Sequence, residues 1–220
     1  MRALALVVGI VVGITSCGGR QPVPKRLVVE ADLGSWKYQR FQGPLVDVEV
    51  WIEGNRAEAY TASYITGDAM KRGRIEDKDL VNVFVTRYER SEGVVRATVK
   101  FARRLAQENH YQVEEAKIGG ERTLTITGPT ESWVLWPSAK YVVKVGGRGL
   151  TKVPESMVEH YTNRFPSQLP GGSLEGPLPA GPDDEPKVDP KDPYDPKNPK
   201  PDLDKYDPKK VKIPEKQVGK

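Results

Sequence analysis

The sequence predicts an α+β domain: an antiparallel sheet of about six or seven strands with two helices on one face, followed by a disordered Pro-rich C-terminal tail. Three observations carry that expectation. Between residues 46 and 145, apolar and polar residues alternate over several short stretches, the period of half-buried strands. Two longer stretches, 92–108 and 153–165, space their apolar residues by three and four, the helical period. From residue 170 onward large apolar side chains almost vanish, and a segment that buries so little cannot offset its ordering entropy.

The chain begins Met1-Arg2, runs almost unbroken through apolar residues from Ala3 to Ile14, and then reads Thr15, Ser16, Cys17. A charged start, an apolar core and small residues at its end make a signal peptide, here residues 1–16. The run is shorter than the roughly 20 apolar residues a bilayer span takes. Ile14-Thr15-Ser16-Cys17, with Gly18 and Gly19 behind it, resembles the lipobox of bacterial lipoproteins: a branched apolar residue, two small ones and the acylated cysteine. The resemblance implies that Cys17 becomes the mature N-terminus and carries a thioether-linked diacylglycerol, usually with a further N-acyl chain such as palmitate. Two or three chains hold where one is marginal, because each buried methylene contributes about 0.8 kcal/mol. The sorting rule of Gram-negative lipoproteins keeps a protein with Asp after the cysteine in the inner membrane. Gly18 at that position therefore implies the outer membrane. The alternative is a lone thiol in an ordinary secreted protein, a reactive liability in an oxidising compartment. Cys17 is the one cysteine of the 220 residues, so no disulfide can form within the chain and stability has to come from the core.

Residues 17–26, with Pro22 and Pro24, read as a tether, and 27–169 as the globular domain, about 140 residues and near the commonest domain size. Val46, Val48, Val50 and Ile52 alternate with Asp47, Glu49, Trp51 and Glu53, and Gly54-Asn55 offers a turn before Ala57–Thr66, which predicts a hairpin. A polar loop is expected over 67–78, then a strand over 80–88 with Val81, Val83 and Val85 on one face. Glu92–Glu108 is expected as the central helix, with Val94, Ala97, Thr98, Phe101, Ala102 and Leu105 inside and Arg96, Lys100, Arg103, Arg104 and Gln107 outside. On that orientation Phe101→Asp should unfold the domain. Val95, Ala97, Val99 and Phe101 also alternate, and β-branched residues are weaker helix formers, so an all-β sandwich is the competing architecture. Strands are expected at 111–118, 122–127, 132–136 and 141–145. Their short connections force antiparallel neighbours, since a parallel crossover needs a dozen or more residues. Pro154 opens a last helix over 153–165, whose inner face holds Val158, Tyr161 and Phe165, and Pro166 ends it. This order of elements over roughly residues 45–169 resembles small α+β domains of bacterial envelope lipoproteins, a likeness of pattern that brings no functional residues with it.

In the tail, 170–220, Asp189-Pro190-Lys191, Asp192-Pro193-Tyr194, Asp195-Pro196-Lys197 and Asn198-Pro199-Lys200 repeat every three residues, the period of polyproline II. The tail reads either as a spacer or docking strip for an envelope protein or peptidoglycan, or as an inert solvated end. A row of Asp189, Asp192 and Asp195 is neutralised by its lysines and lacks the glycine turn of a calcium loop.

The net charge is +4, with both signs interleaved throughout, and no basic stripe carries aromatics between its charges, so a nucleic-acid partner is not expected. His110 and His160 lack the paired spacing of a metal site, and no nucleophile elbow, Walker loop or His-Glu-x-x-His is present, so neither metal nor cofactor is expected. Gly146-Gly147-Arg148-Gly149 could cradle an anion through its amides. Trp51, Trp133 and Trp136 are the candidate binding surface, because in a strand the neighbours of Trp133 and Trp136 must face opposite ways and an exposed indole suits a glycan or protein. The expected role is that of a non-catalytic envelope binding or scaffolding module. The alternative is an envelope hydrolase using paired carboxylates, with Glu114, Glu115 and Glu121 as candidates.

Overall fold

The computed structural model describes residues 26–46 and 48–181. Ile14, Thr15, Ser16 and Cys17, the signal peptide and most of the tether lie outside the described residues, as does 182–220 with its Asp-Pro triplets.

Seven strands form one antiparallel sheet: β1 Trp36–Leu45, β2 Ala57–Thr66, β3 Leu80–Tyr88, β4 Gln112–Ile118, β5 Glu121–Thr127, β6 Glu131–Ser138 and β7 Tyr141–Arg148, in the order β1-β2-β3-β7-β6-β5-β4. The helices are α1 Gly67–Arg72, α2 Val94–Ala106 and α3 Glu155–Arg164, with a 3-10 turn at Asp77–Asp79. The expected α+β class and strand number are those of the structure, and the stretch expected as the central helix is helical over Val94–Ala106 rather than extended. The alternation over 46–52 is not a strand: the first strand lies upstream at 36–45, and the apolar residues of 48–50 lean onto the sheet instead. Val50 is buried and its carbonyl accepts the Tyr88 hydroxyl, which burial pushes above the usual tyrosine range.

The placement of the helices departs from the expectation of one shared face. Along β7, Tyr141, Val143 and Val145 pack with Met157, Val158, Tyr161 and Phe165 of α3 and its C-cap, while Val142 packs with Val94, Val99 and Ala102 of α2. Neighbouring strand residues point to opposite faces, so α3 covers one face and α2 the other. The physical reason is that both faces are apolar. In β6 the alternation Val134, Leu135, Trp136 is buried throughout, which leaves no face that water could cover. The Trp136 indole sits in the α3-side core and donates to the Phe165 carbonyl at 2.8 Å.

The chain is pinned to the α3 side at its start. Leu27 and Val28 are buried, and Val29 is clamped by two tyrosines: its amide donates to the Tyr161 hydroxyl at 2.9 Å and its carbonyl accepts from Tyr64. The tail boundary expected at 170 moves. Leu174 and Leu178 pack on the α2-side core, Ser173 is buried, and the compact unit runs to Pro179. Arg103 holds this segment by donating to the Ser173 carbonyl at 2.8 Å, and the Glu115 carboxylate accepts from the amides of Gly172 and Leu174 at 3.0 Å each. A charged pair of clamps takes the place of a large apolar face, which is why composition alone did not mark these residues as folded.

The inner face of α2 is rotated relative to expectation. Val94, Thr98, Val99 and Ala102 are buried, whereas Phe101 is half-buried and turned toward an open cleft. Ala102→Asp should therefore cost more than about 3 kcal/mol by placing a charge in a closed core, and Phe101→Asp distinctly less. Urea unfolding of the two variants beside wild type checks the order.

Candidate functional site

Helix α2 covers its face of the sheet incompletely. Toward the end of the sheet where β3 begins and β7 ends, the sheet face stays open, and a cleft of about 420 Å³ remains between α2, the 3-10 turn and Glu49. Strand register sets its floor. Asn82, Gly146, Trp133 and Ile126 form one row across β3, β7, β6 and β5, and Phe84, Lys144 and Leu135 form the next. Phe101 and Leu105 from α2, with Tyr111 just beyond it, make the wall, and Arg148, Glu131 and Asp77 stand at the rim.

Gly146 lets β6 and the indole come close. A Cβ there would lie 2.1 Å from the Ser132 carbonyl oxygen, 2.8 Å from the Trp133 Cα and 2.9 Å from its Cε3, so any side chain would collide with the β6 backbone first and with the indole beside it. With glycine opposite it, Trp133 lies across the strand pair, in an edge contact with the Phe84 ring at 6.0 Å between centroids. The Lys144 ammonium rests 3.9 Å from the Trp133 ring centroid and 5.7 Å from that of Phe84, a cation held by two ring faces. Its side chain is only 15% exposed, and it is ion-paired with the more exposed Glu49 carboxylate.

Glu131 fixes the other side of the indole. One carboxylate oxygen accepts the Trp133 Nε1–H at 3.0 Å and the other accepts the Tyr111 hydroxyl at 2.9 Å. The Trp133 hydrogen bond, opposed in part by burial and helped by the Tyr111 bond and by Lys144 and Arg148, holds this carboxyl below the usual range. Glu131 is therefore a fixed anion at neutral pH. Tyr111 shifts the other way, held above the usual tyrosine range first by its bond to that anion.

The three tryptophans singled out in the sequence part company. Trp133 forms the floor of the cleft, Trp136 is fully buried in the opposite core, and Trp51 is 75% exposed on the loop before β2. The expected common binding surface thus reduces to Trp133, because residues 133 and 136 must face opposite sides of one strand. The glycine run does not form an anion cradle. Gly149 donates its amide to the Thr130 carbonyl, and a Cβ at Gly147 or Gly149 would strike the backbone of Leu80 or Lys78, so these positions answer to close packing of the 3-10 turn. Glu114, Glu115 and Glu121 do not meet in a cleft: Glu114 accepts from the Gln112 side-chain amide, Glu115 clamps 172–174, and Glu121 accepts the Ser167 amide at 3.1 Å. His110 and His160 are exposed, and among the described residues no three His, Cys, Asp or Glu side chains gather as a metal site would require. Sequence reading missed Phe84, Lys144 and Glu131: Phe84 and Lys144 lie far from Trp133 along the chain, and Glu131, two residues before it at the start of β6, reads as an ordinary polar strand end. The one available signal was a lysine interrupting the apolar run of β7.

No family model, no curated protein and no solved structure matches this chain.

Because the folded-state pKa of Glu131 is depressed, its contribution to stability is fully present above the unfolded value of about 4.3 and is lost as pH falls through the lower folded value. The stability gap between wild type and Glu131→Gln should be constant from pH 7 to pH 5 and shrink below about pH 4. Denaturant unfolding across that range measures it, and a gap independent of pH would contradict the assigned charge.

Proposed function

We propose that this chain is a non-catalytic binding module of the bacterial cell envelope, held on the membrane by a lipid on Cys17 and presenting the α2-side cleft to its ligand. The observation that carries the binding half is the cleft itself: four aromatic side chains, Phe84, Phe101, Tyr111 and Trp133, line it together with cationic and anionic groups. Concave apolar walls with a few placed polar groups are the usual form of a small-molecule site. The non-catalytic reading is supported by what two of the three cleft carboxylates already do, since both oxygens of Glu131 are engaged and Glu49 is paired with Lys144, while Asp77 stands at the rim. The candidates Glu114, Glu115 and Glu121 for a hydrolase lie elsewhere on the fold and serve as structural acceptors.

The anchoring half is supported by Ile14, Thr15, Ser16 and Cys17 in front of two glycines, and the outer membrane is the favoured leaflet system because Gly18 stands where a retention aspartate would. Among the described residues no helix is long and apolar enough to cross a membrane. The segment beyond Pro179 is proposed as a spacer or contact strip toward an envelope protein or peptidoglycan.

Metabolic labelling with radioactive palmitate in a bacterial host tests the anchor. Wild type should incorporate label and sediment with membranes, and Cys17→Ser should lose the label and be released. A Cys17→Ser protein that stays membrane-bound at the wild-type level would overturn the anchor.

A further inference from the structure

The cleft has an annex. A second cavity of about 230 Å³ adjoins it, lined by Leu45, Val48, Val50, Ala59, Leu135 and Val142 among others, and it shares Phe84, Lys144 and Glu49 with the first. An aromatic, polar chamber and an aliphatic one thus meet at Phe84 and the Glu49–Lys144 ion pair. The two partners are held very differently. Lys144 leaves a central strand of the sheet and is gripped by the Trp133 and Phe84 rings, whereas Glu49 belongs to the connection between β1 and β2 and its side chain is 54% exposed. The carboxylate end of the pair reaches solvent and can be rehydrated when it leaves the ammonium, whereas the ammonium, only 15% exposed, needs an anion beside it. Glu49 is an exchangeable partner for a fixed cation.

The remaining donors around Lys144 point to the sign of the ligand. Asn82 accepts the Ser63 hydroxyl at 2.7 Å through its oxygen, which leaves its amide nitrogen as a donor on the cleft floor. Arg148 adds a guanidinium at the rim, where the Asp77 carboxylate also stands, so the sign is set by the groups on the floor. The strongest cleft acceptor, Glu131, has both oxygens occupied by the Trp133 indole and the Tyr111 hydroxyl, and so offers a ligand cation less than its charge suggests. The face of the Trp133 ring is likewise taken by the protein's own ammonium, the position a ligand cation would need.

We propose that the cleft binds an anionic amphiphile, a carboxylate with a medium-length aliphatic body, whose head group replaces Glu49 as the partner of Lys144 and whose chain enters the cavity lined by Leu45, Val48, Val50, Leu135 and Val142. This rests on the reading of the cleft as a ligand site and adds the chemical class. Glu49 then acts as an internal surrogate for the ligand, neutralising Lys144 when the site is empty and moving to water when it is filled. Removing Glu49's charge should therefore strengthen binding, the reverse of what a side chain that contacts the ligand favourably would do.

Calorimetric titration of the lipid-free Cys17→Ser protein with decanoate, and separately with decyltrimethylammonium, tests the class, since the two probes share a chain length and differ in charge. Decanoate should bind one to one. Lys144→Met should weaken it at least tenfold, Glu49→Gln should tighten it several-fold, and the cationic probe should bind much more weakly than decanoate. Thermal unfolding of each variant shows that it is folded, and Lys144→Arg, which keeps the charge, should restore much of the affinity if Lys144→Met proves unstable. Preference for the cationic probe, weakened by Glu49→Gln, would overturn the anionic class while leaving the cleft as a ligand site. Binding of neither probe, or decanoate binding indifferent to both Lys144 and Glu49, would overturn the proposal, and amide chemical-shift changes outside the cleft in the same titrations would overturn the reading of the cleft itself.

Discussion

The site depends on Gly146 standing opposite Trp133, where a side chain would fit neither against the Ser132 carbonyl nor beside the indole. That pairing sets the height of the cleft floor, brings the indole N–H to Glu131, and turns the ring face toward Lys144. The lysine then sits among aromatic rings instead of reaching for water, although a stretched lysine side chain ordinarily snorkels to solvent. Phe84 on the neighbouring strand supplies the second ring. A charge and two rings are thereby brought together on adjacent rows by strand register, and rigid strands hold such a set more closely than loops would.

Around this floor the sheet is covered from both sides but unequally. The α3 side is closed by a helix, by the N-terminal segment tied through Tyr64 and Tyr161 to Val29, and by Trp136 bonded to the end of α3. The α2 side is covered by a thirteen-residue helix and by 170–179, which Arg103 and Glu115 draw over the neighbouring strands. Neither reaches the far part of β3 and β7. The open cleft is the area that the α2-side cover fails to reach, so fold and site share one cause: seven strands are wider than one helix and one strap.

Much of the fold was legible in the sequence because periodicity reports it directly. The Val81, Val83, Val85 alternation and the short turns that force the β4–β7 meander each have one simple reading, and the three-and-four spacing of α2 prevailed over the alternation that runs through the same residues. β1 was not legible: Trp36–Leu45 carries glutamines, an arginine and Pro44, and as an edge strand with irregular register it buries too little to show a period. The residues 46–52 alternate more cleanly, yet it is Val50 and Ile52 packing on the α2-side core as a cover, with Val46 and Trp51 left exposed, that this pattern marks. The strap at 170–179 was hidden because charged clamps hold it. Of the site, only Trp133 and the neighbouring glycines and arginine of β7 drew notice in advance. Its other parts come from five separated stretches, and the lysine that organises them looks, in one dimension, like the polar phase of an ordinary strand.

The central claim is the placement of the Lys144 ammonium on the ring of Trp133, and proton NMR reads it directly. Ring currents from Trp133 and Phe84 should move the Lys144 ε-methylene protons well upfield of the other lysines, and Trp133→Leu should remove most of that displacement. Lys144 protons at the position of exposed lysines in the wild-type protein would contradict the account.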